Sequence, residues 1–121
     1  MNCCQKGKRG ERAWRDELRA HGYEARRGQQ FSGSPDSPDV VCPDLAGFHF
    51  EVKAVERLNV HQAMAQAADE AGQNIPVVAH KRNRGDWRVT MRADDWFELL
   101  RRAQPAQVGL PQVPVPSKPG L

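Results

Sequence analysis

The sequence predicts an α/β fold, a central mixed sheet of about five strands flanked by helices. Three observations predict it. The chain runs through helical and strand patterns in the order helix, three strands, helix, two strands, helix. Apolar residues recur with period two at Phe48, Phe50 and Val52 and again at Trp87, Val89 and Met91, which is strand spacing. An alanine-rich helical stretch with Ala63, Met64, Ala67, Ala68 and Ala71 follows the first of these strands, and its small side chains suit close packing on a sheet. At 121 residues the chain fits one domain with a single core.

The first element is a helix from Lys8 to His21, stopped by Gly22, with residues 1–7 as a flexible N-terminus. Trp14, Leu18 and Ala13 form its apolar stripe, and Glu11, three residues before Trp14, lies on that stripe. Tyr23 to Gln29 follows as a polar edge or near-edge strand. Ser32 to Pro38, rich in Ser, Gly and Pro, is a loop. Val40 to Cys42 makes the second strand, and Pro43 to Gly47 a turn into the third, which carries Phe48 to Lys53. The alanine-rich helix spans Leu58 to Ala71 and ends at Gly72-Gln73-Asn74.

Ile75 to Ala79 is a short apolar run suited to a buried strand. His80 to Asp86 is a basic hairpin tip leading into the strand Trp87 to Met91. The last helix, Asp94 to Arg102, is expected to pack Trp96, Leu99 and Leu100 on the domain. The domain therefore covers residues 8–103. From Gln104 onward five prolines prevent regular structure, leaving 104–121 as a Pro-rich disordered tail.

Charge is unevenly placed. Eight Lys or Arg oppose four acids between Lys6 and Arg27, and five oppose one between Lys81 and Arg92, whereas Asp36 to Glu56 holds five acids and one lysine. An acidic pocket between basic segments is the pattern of a protein that meets a polyanion while holding cations at one point. Lys8, Arg9 and Arg12 on the first helix and Lys81, Arg82 and Arg84 on the hairpin tip are the candidate phosphate contacts. Three cysteines, two of them adjacent, make no disulfide framework, and no Cys-X-X-Cys or paired-His spacing supports zinc. No apolar run reaches the ~18 residues of a membrane span. With no signal-peptide pattern at the start, the expected location is the cytoplasm of a bacterium or phage-infected host.

The candidate site lies on the third strand. If Phe48, Phe50 and Val52 face the core, then His49, Glu51 and Lys53 share the opposite face. A charged pair among so many apolar side chains is costly unless it is paired or binds metal. The turn at Pro43 to Gly47 brings Asp39 back beside Glu51, so that two carboxylates and a lysine converge. That is the constellation a hard divalent cation such as Mg²⁺ needs.

Pro38-Asp39, the eleven-residue gap, and Glu51-Val52-Lys53 resemble the signature of the PD-(D/E)XK nucleases. Gly10-Glu11 opening a helix and the Phe31-Ser32-Gly33-Ser34 loop are similar to the branch holding archaeal-type Holliday junction resolvases and related phage nucleases. The resemblance covers residues 6 to 103. It implies a restriction-endonuclease-like core and a DNA endonuclease that acts as a homodimer on branched or duplex DNA. Asp39, Glu51 and the Val52 carbonyl would hold one or two Mg²⁺, which Mn²⁺ could replace, and Lys53 would orient or deprotonate the attacking water. It also implies that Glu11 binds the metal's water shell, that Ser32 or Ser34 serves in the loop, and that a helix glutamine, Gln66 in preference to Gln62, lies near the scissile phosphate or the lysine. The products would carry a 5′-phosphate and a 3′-hydroxyl. A nicking or restriction-like nuclease and a non-catalytic DNA-binding or assembly module with the same fold are the alternatives.

Overall fold

The computed structural model describes residues 3–28 and 39–104. The chain forms helix α1 (Cys3–Ala20), strands β1 (Arg26–Arg27), β2 (Val40–Val41) and β3 (Phe48–Ala54), helix α2 (Val60–Ala71), strands β4 (Ile75–Lys81) and β5 (Arg88–Thr90), and helix α3 (Ala93–Ala103). A single turn of 3₁₀ helix, Pro43–Leu45, joins β2 to β3. The five strands make one sheet in sequence order. β3 and β4 are parallel through the α2 crossover, and every other neighbouring pair is antiparallel. The expected α/β class, a five-stranded mixed sheet flanked by helices, is the architecture observed.

Helix α1 begins at Cys3 rather than Lys8, so residues 3–7, expected as a flexible N-terminus, continue the helix. Gln5, Lys6, Lys8 and Arg9 are good helix formers, and no proline interrupts them. Its C-terminus is closed at Gly22, whose φ of +91° suits glycine. The Tyr23 amide donates to the Leu18 carbonyl (3.0 Å) and the Gly22 amide to the Arg19 carbonyl (3.0 Å), the paired bonds of a Schellman stop.

Strand alternation sorts the core into two layers. Phe50 and Val52 on β3 and Val77 and Ala79 on β4 meet Trp14 and Leu18 of α1. Trp14 packs edge-on to Phe50 with ring centres 5.6 Å apart and lies 5.0 Å from Trp87. On the other face Val78 packs under Ala63 and Ala67 of α2. Asn59 caps α2, its Oδ1 accepting from the Gln62 amide at 3.1 Å, so the helix starts two residues later than Leu58.

Gly10 explains how α1 settles on β3. A Cβ built there would lie 3.0 Å from the Ala54 Cβ, a separation tighter than nearly all real Cβ contacts. We expect Gly10→Leu to push α1 off the sheet and cost about 1–3 kcal/mol, read as a lower urea midpoint; an unchanged midpoint would mean that the helix does not sit this close.

Two further elements depart from expectation. The first strand is Arg26–Arg27, two rungs against β2, within the expected Tyr23–Gln29, whose last residue lies outside the described residues. Helix α3 does not bury the apolar face expected of it. Trp96 and Leu100 are 49% and 39% exposed, since the three-residue edge strand β5 offers little sheet to cover. Trp96 instead leans on Phe97, with ring centres 5.1 Å apart. Among the described residues no helix is long and apolar enough to cross a membrane. Ser32, Ser34 and the tail from Pro105 lie outside the described residues.

Candidate metal centre

The α2-facing side of β3 carries His49, Glu51 and Lys53. Beneath α2, Val78 fills only part of the space left by the alanines. His49 and Glu51 occupy it, 4% and 3% exposed, and Glu70 reaches down from the same helix face as Ala63 and Ala67. The His49 Nε2 lies 3.5 Å from Glu70 Oε2 and 4.0 Å from Glu51 Oε2. Lys53 Nζ stands 3.6 Å from Glu51 Oε1.

Asp39 immediately precedes β2. Its Oδ2 accepts the Val52 amide at 2.9 Å, and the β2–β3 pairing of Val40 with Phe50 holds it beside Glu51. The hairpin return expected from the sequence is therefore observed, and Asp39, Glu51 and Lys53 do meet. Val52 turns its side chain into the α1 layer.

Electrostatics follow from crowding. Burial, then the charges of Asp39 and Glu70, push the Glu51 carboxyl up to about 8, with Lys53 opposing. Burial also raises Asp39, while the Val52 amide and Lys53 pull it down. Glu11 is raised by burial and by Asp39, against the Arg27 guanidinium. At neutral pH the cluster therefore holds a proton that a divalent cation would displace.

The remaining expected residues are placed as follows. Glu11 is on α1 at the margin of this group, its Oε1 taken by Arg27 Nε and a terminal guanidinium nitrogen, both at 3.1 Å. Gln66 is exposed and touches the cluster only through Glu70, with Nε2 3.5 Å from Glu70 Oε1. Lys8, Arg9 and Arg12 are exposed on α1, and Arg82 and Arg84 on the β4–β5 turn. Lys81 lies over the Trp87 ring, 5.6 Å from its centre. Beside the carboxyl ends of β3 and β4, a cleft of about 240 Å³ is lined by Glu56, His80, Lys81, Arg82 and Arg88 among others. His80 there is lowered by burial and by Arg88.

Sequence reasoning named neither His49 nor Glu70 as a site residue. Both had a signal. His49 is two residues from Glu51 and so shares its strand face, and Glu70 is three residues from Ala67 and so shares its helix face. The donor set fits a divalent cation: His49 Nε2 and Glu51 Oε2 are enclosed and make no hydrogen bond, a cost that a bound ion would remove. Comparison of the chain with protein-family models, curated proteins and solved structures finds no match.

Proposed function

We propose that the chain is a metal-dependent endodeoxyribonuclease of the PD-(D/E)XK kind, hydrolysing phosphodiester bonds in branched or duplex DNA with a resolvase-like preference for structure over sequence. The observation that carries this reading is the meeting of Asp39, Glu51 and Lys53, with Lys53 Nζ 3.6 Å from Glu51 and Asp39 tied to the next backbone amide. Its cofactor would be Mg²⁺, replaceable by Mn²⁺; held by Asp39, Glu51 and the Val52 carbonyl, it would activate a water and offset phosphate charge.

The chain's own groups have separate tasks. Lys53 is 30% exposed at its side chain, so its ammonium can reach both Glu51 and a solvent-side water, which it orients for in-line attack. Glu11, steadied by Arg27, would bind the metal's water shell. Gln66 acts through its hydrogen bond to Glu70. Lys81, Arg82 and Arg84, with Lys8, Arg9 and Arg12, neutralise phosphates without reading bases. The products carry a 5′-phosphate and a 3′-hydroxyl. Two copies act together on branched DNA.

The test incubates the chain with four-way junction, nicked and linear duplex DNA in Mg²⁺, Mn²⁺ or EDTA. We expect cutting that EDTA stops and that is fastest on the junction. Tight binding with no cutting in either metal overturns the enzyme and supports a DNA-binding module on this fold.

A further inference from the structure

The pocket under α2 contains a donor that a pure Mg²⁺ site has no use for. His49 presents an imidazole nitrogen to Glu51 and Glu70, and one donor atom from each of the three residues lies within 4.8 Å of the others. The His49 side chain is 5% exposed and that of Glu51 4%, and the facing atoms, Nε2 and Oε2, lack hydrogen bonds. Among the described residues, the three carboxylates of Asp39, Glu51 and Glu70 are offset nearby by the ammonium of Lys53, so a doubly charged ion would balance the group. Mg²⁺ favours oxygen ligands in a near-ideal octahedron and keeps its waters, whereas imidazole nitrogen is a good ligand for divalent transition ions.

We propose that His49, Glu51 and Glu70 form a site for a divalent transition-metal cation, with His49 Nε2 as the ligand that selects it over Mg²⁺. The inference shares Glu51 with the nuclease reading and rests on it there alone, since binding at this site does not require that DNA be cut. Glu51 and Glu70 supply charge, which any divalent ion can use; His49 supplies the selectivity.

The experiment uses the full chain, stripped with EDTA and loaded with one equivalent of MnCl₂ in the absence of DNA. Pulsed electron paramagnetic resonance of the loaded wild type is expected to reveal ¹⁴N coupling from a directly bound imidazole; its absence overturns the proposal without any variant. Calorimetric titration should give Mn²⁺ affinity about tenfold or more above that of Mg²⁺. In His49→Gln the Mn²⁺ advantage should fall by about tenfold or more with Mg²⁺ binding nearly unchanged, while Glu70→Gln should weaken both ions. Equal affinities in the wild type, or an unchanged ratio in a folded His49→Gln, overturn it. Nitrogen coupling in a chain that cuts no DNA sinks the nuclease reading alone, and cutting without nitrogen coupling sinks this site alone.

Discussion

Asp39→Asn is expected to lower metal-dependent cleavage of a four-way junction by about 10³-fold, with Lys53→Met losing about 10²- to 10⁴-fold. Asparagine is chosen because the Asp39 carboxylate does two things. One oxygen accepts the Val52 amide at 2.9 Å, and removing it, as alanine would, leaves a part-buried N–H without its partner at about 1–3 kcal/mol. The asparagine carbonyl keeps that bond while the substitution removes the charge. Asp39→Asn should therefore melt near the wild-type temperature, since relief of burial and of repulsion at Glu51 and Glu11 offsets the lost attraction to Lys53. Activity lost in parallel with stability would mean that Asp39 serves the fold alone. Wild-type rates in both variants would remove these residues from the chemistry.

The second large effect is on stability against pH in the metal-free chain. Glu51 has an ordinary value of 4.5 and is pushed up to about 8 in the fold, first by burial and then by Asp39 and Glu70. Between those values the folded chain keeps a proton that the unfolded chain has released. Its contribution is therefore fully present below pH ~4.5 and lost as pH rises towards ~8, at a total of a few kcal/mol. Asp39 and Glu11 are raised too and act in the same direction; His49, Lys53 and Glu70 are the other titratable groups facing Glu51. Urea melts in EDTA from pH 5 to 9 should fall across this window in the wild type and stay flatter in Glu51→Gln, which mimics the protonated acid. Parallel curves for the two proteins would show that Glu51 titrates normally. Saturating Mn²⁺ should restore stability at the alkaline end, by about 2.7 kcal/mol at a hundred times Kd, because the metal binds the ionised carboxylate.

The period-two pattern at Phe48, Phe50 and Val52 was enough to place Glu51 and Lys53 on one face and the core on the other. The turn chemistry at Pro43–Leu45 was enough to return Asp39 beside them. Both are local matters, set by the pleat and by a few residues of chain. The same local rules misjudged the ends of elements. α1 runs on to Cys3 because nothing in its sequence stops it, and β1 keeps only two residues because pairing partners, not composition, decide a strand's length.

By itself, then, the sequence determined the α/β class, the order of elements and the meeting of Asp39, Glu51 and Lys53, since strand alternation and a short return are encoded within about fifteen residues. Only the tertiary structure decided that Glu70 comes over Glu51 and that His49 is sealed between them. Those contacts depend on how closely α2 lies on the sheet and at which rotation, which Ala63 and Ala67 set through packing with Val78. It also decided that Glu11 is held by Arg27, and that the apolar face of α3 is left largely exposed. Helical spacing can say which residues share a face, but what that face meets is fixed by packing between elements distant in the chain.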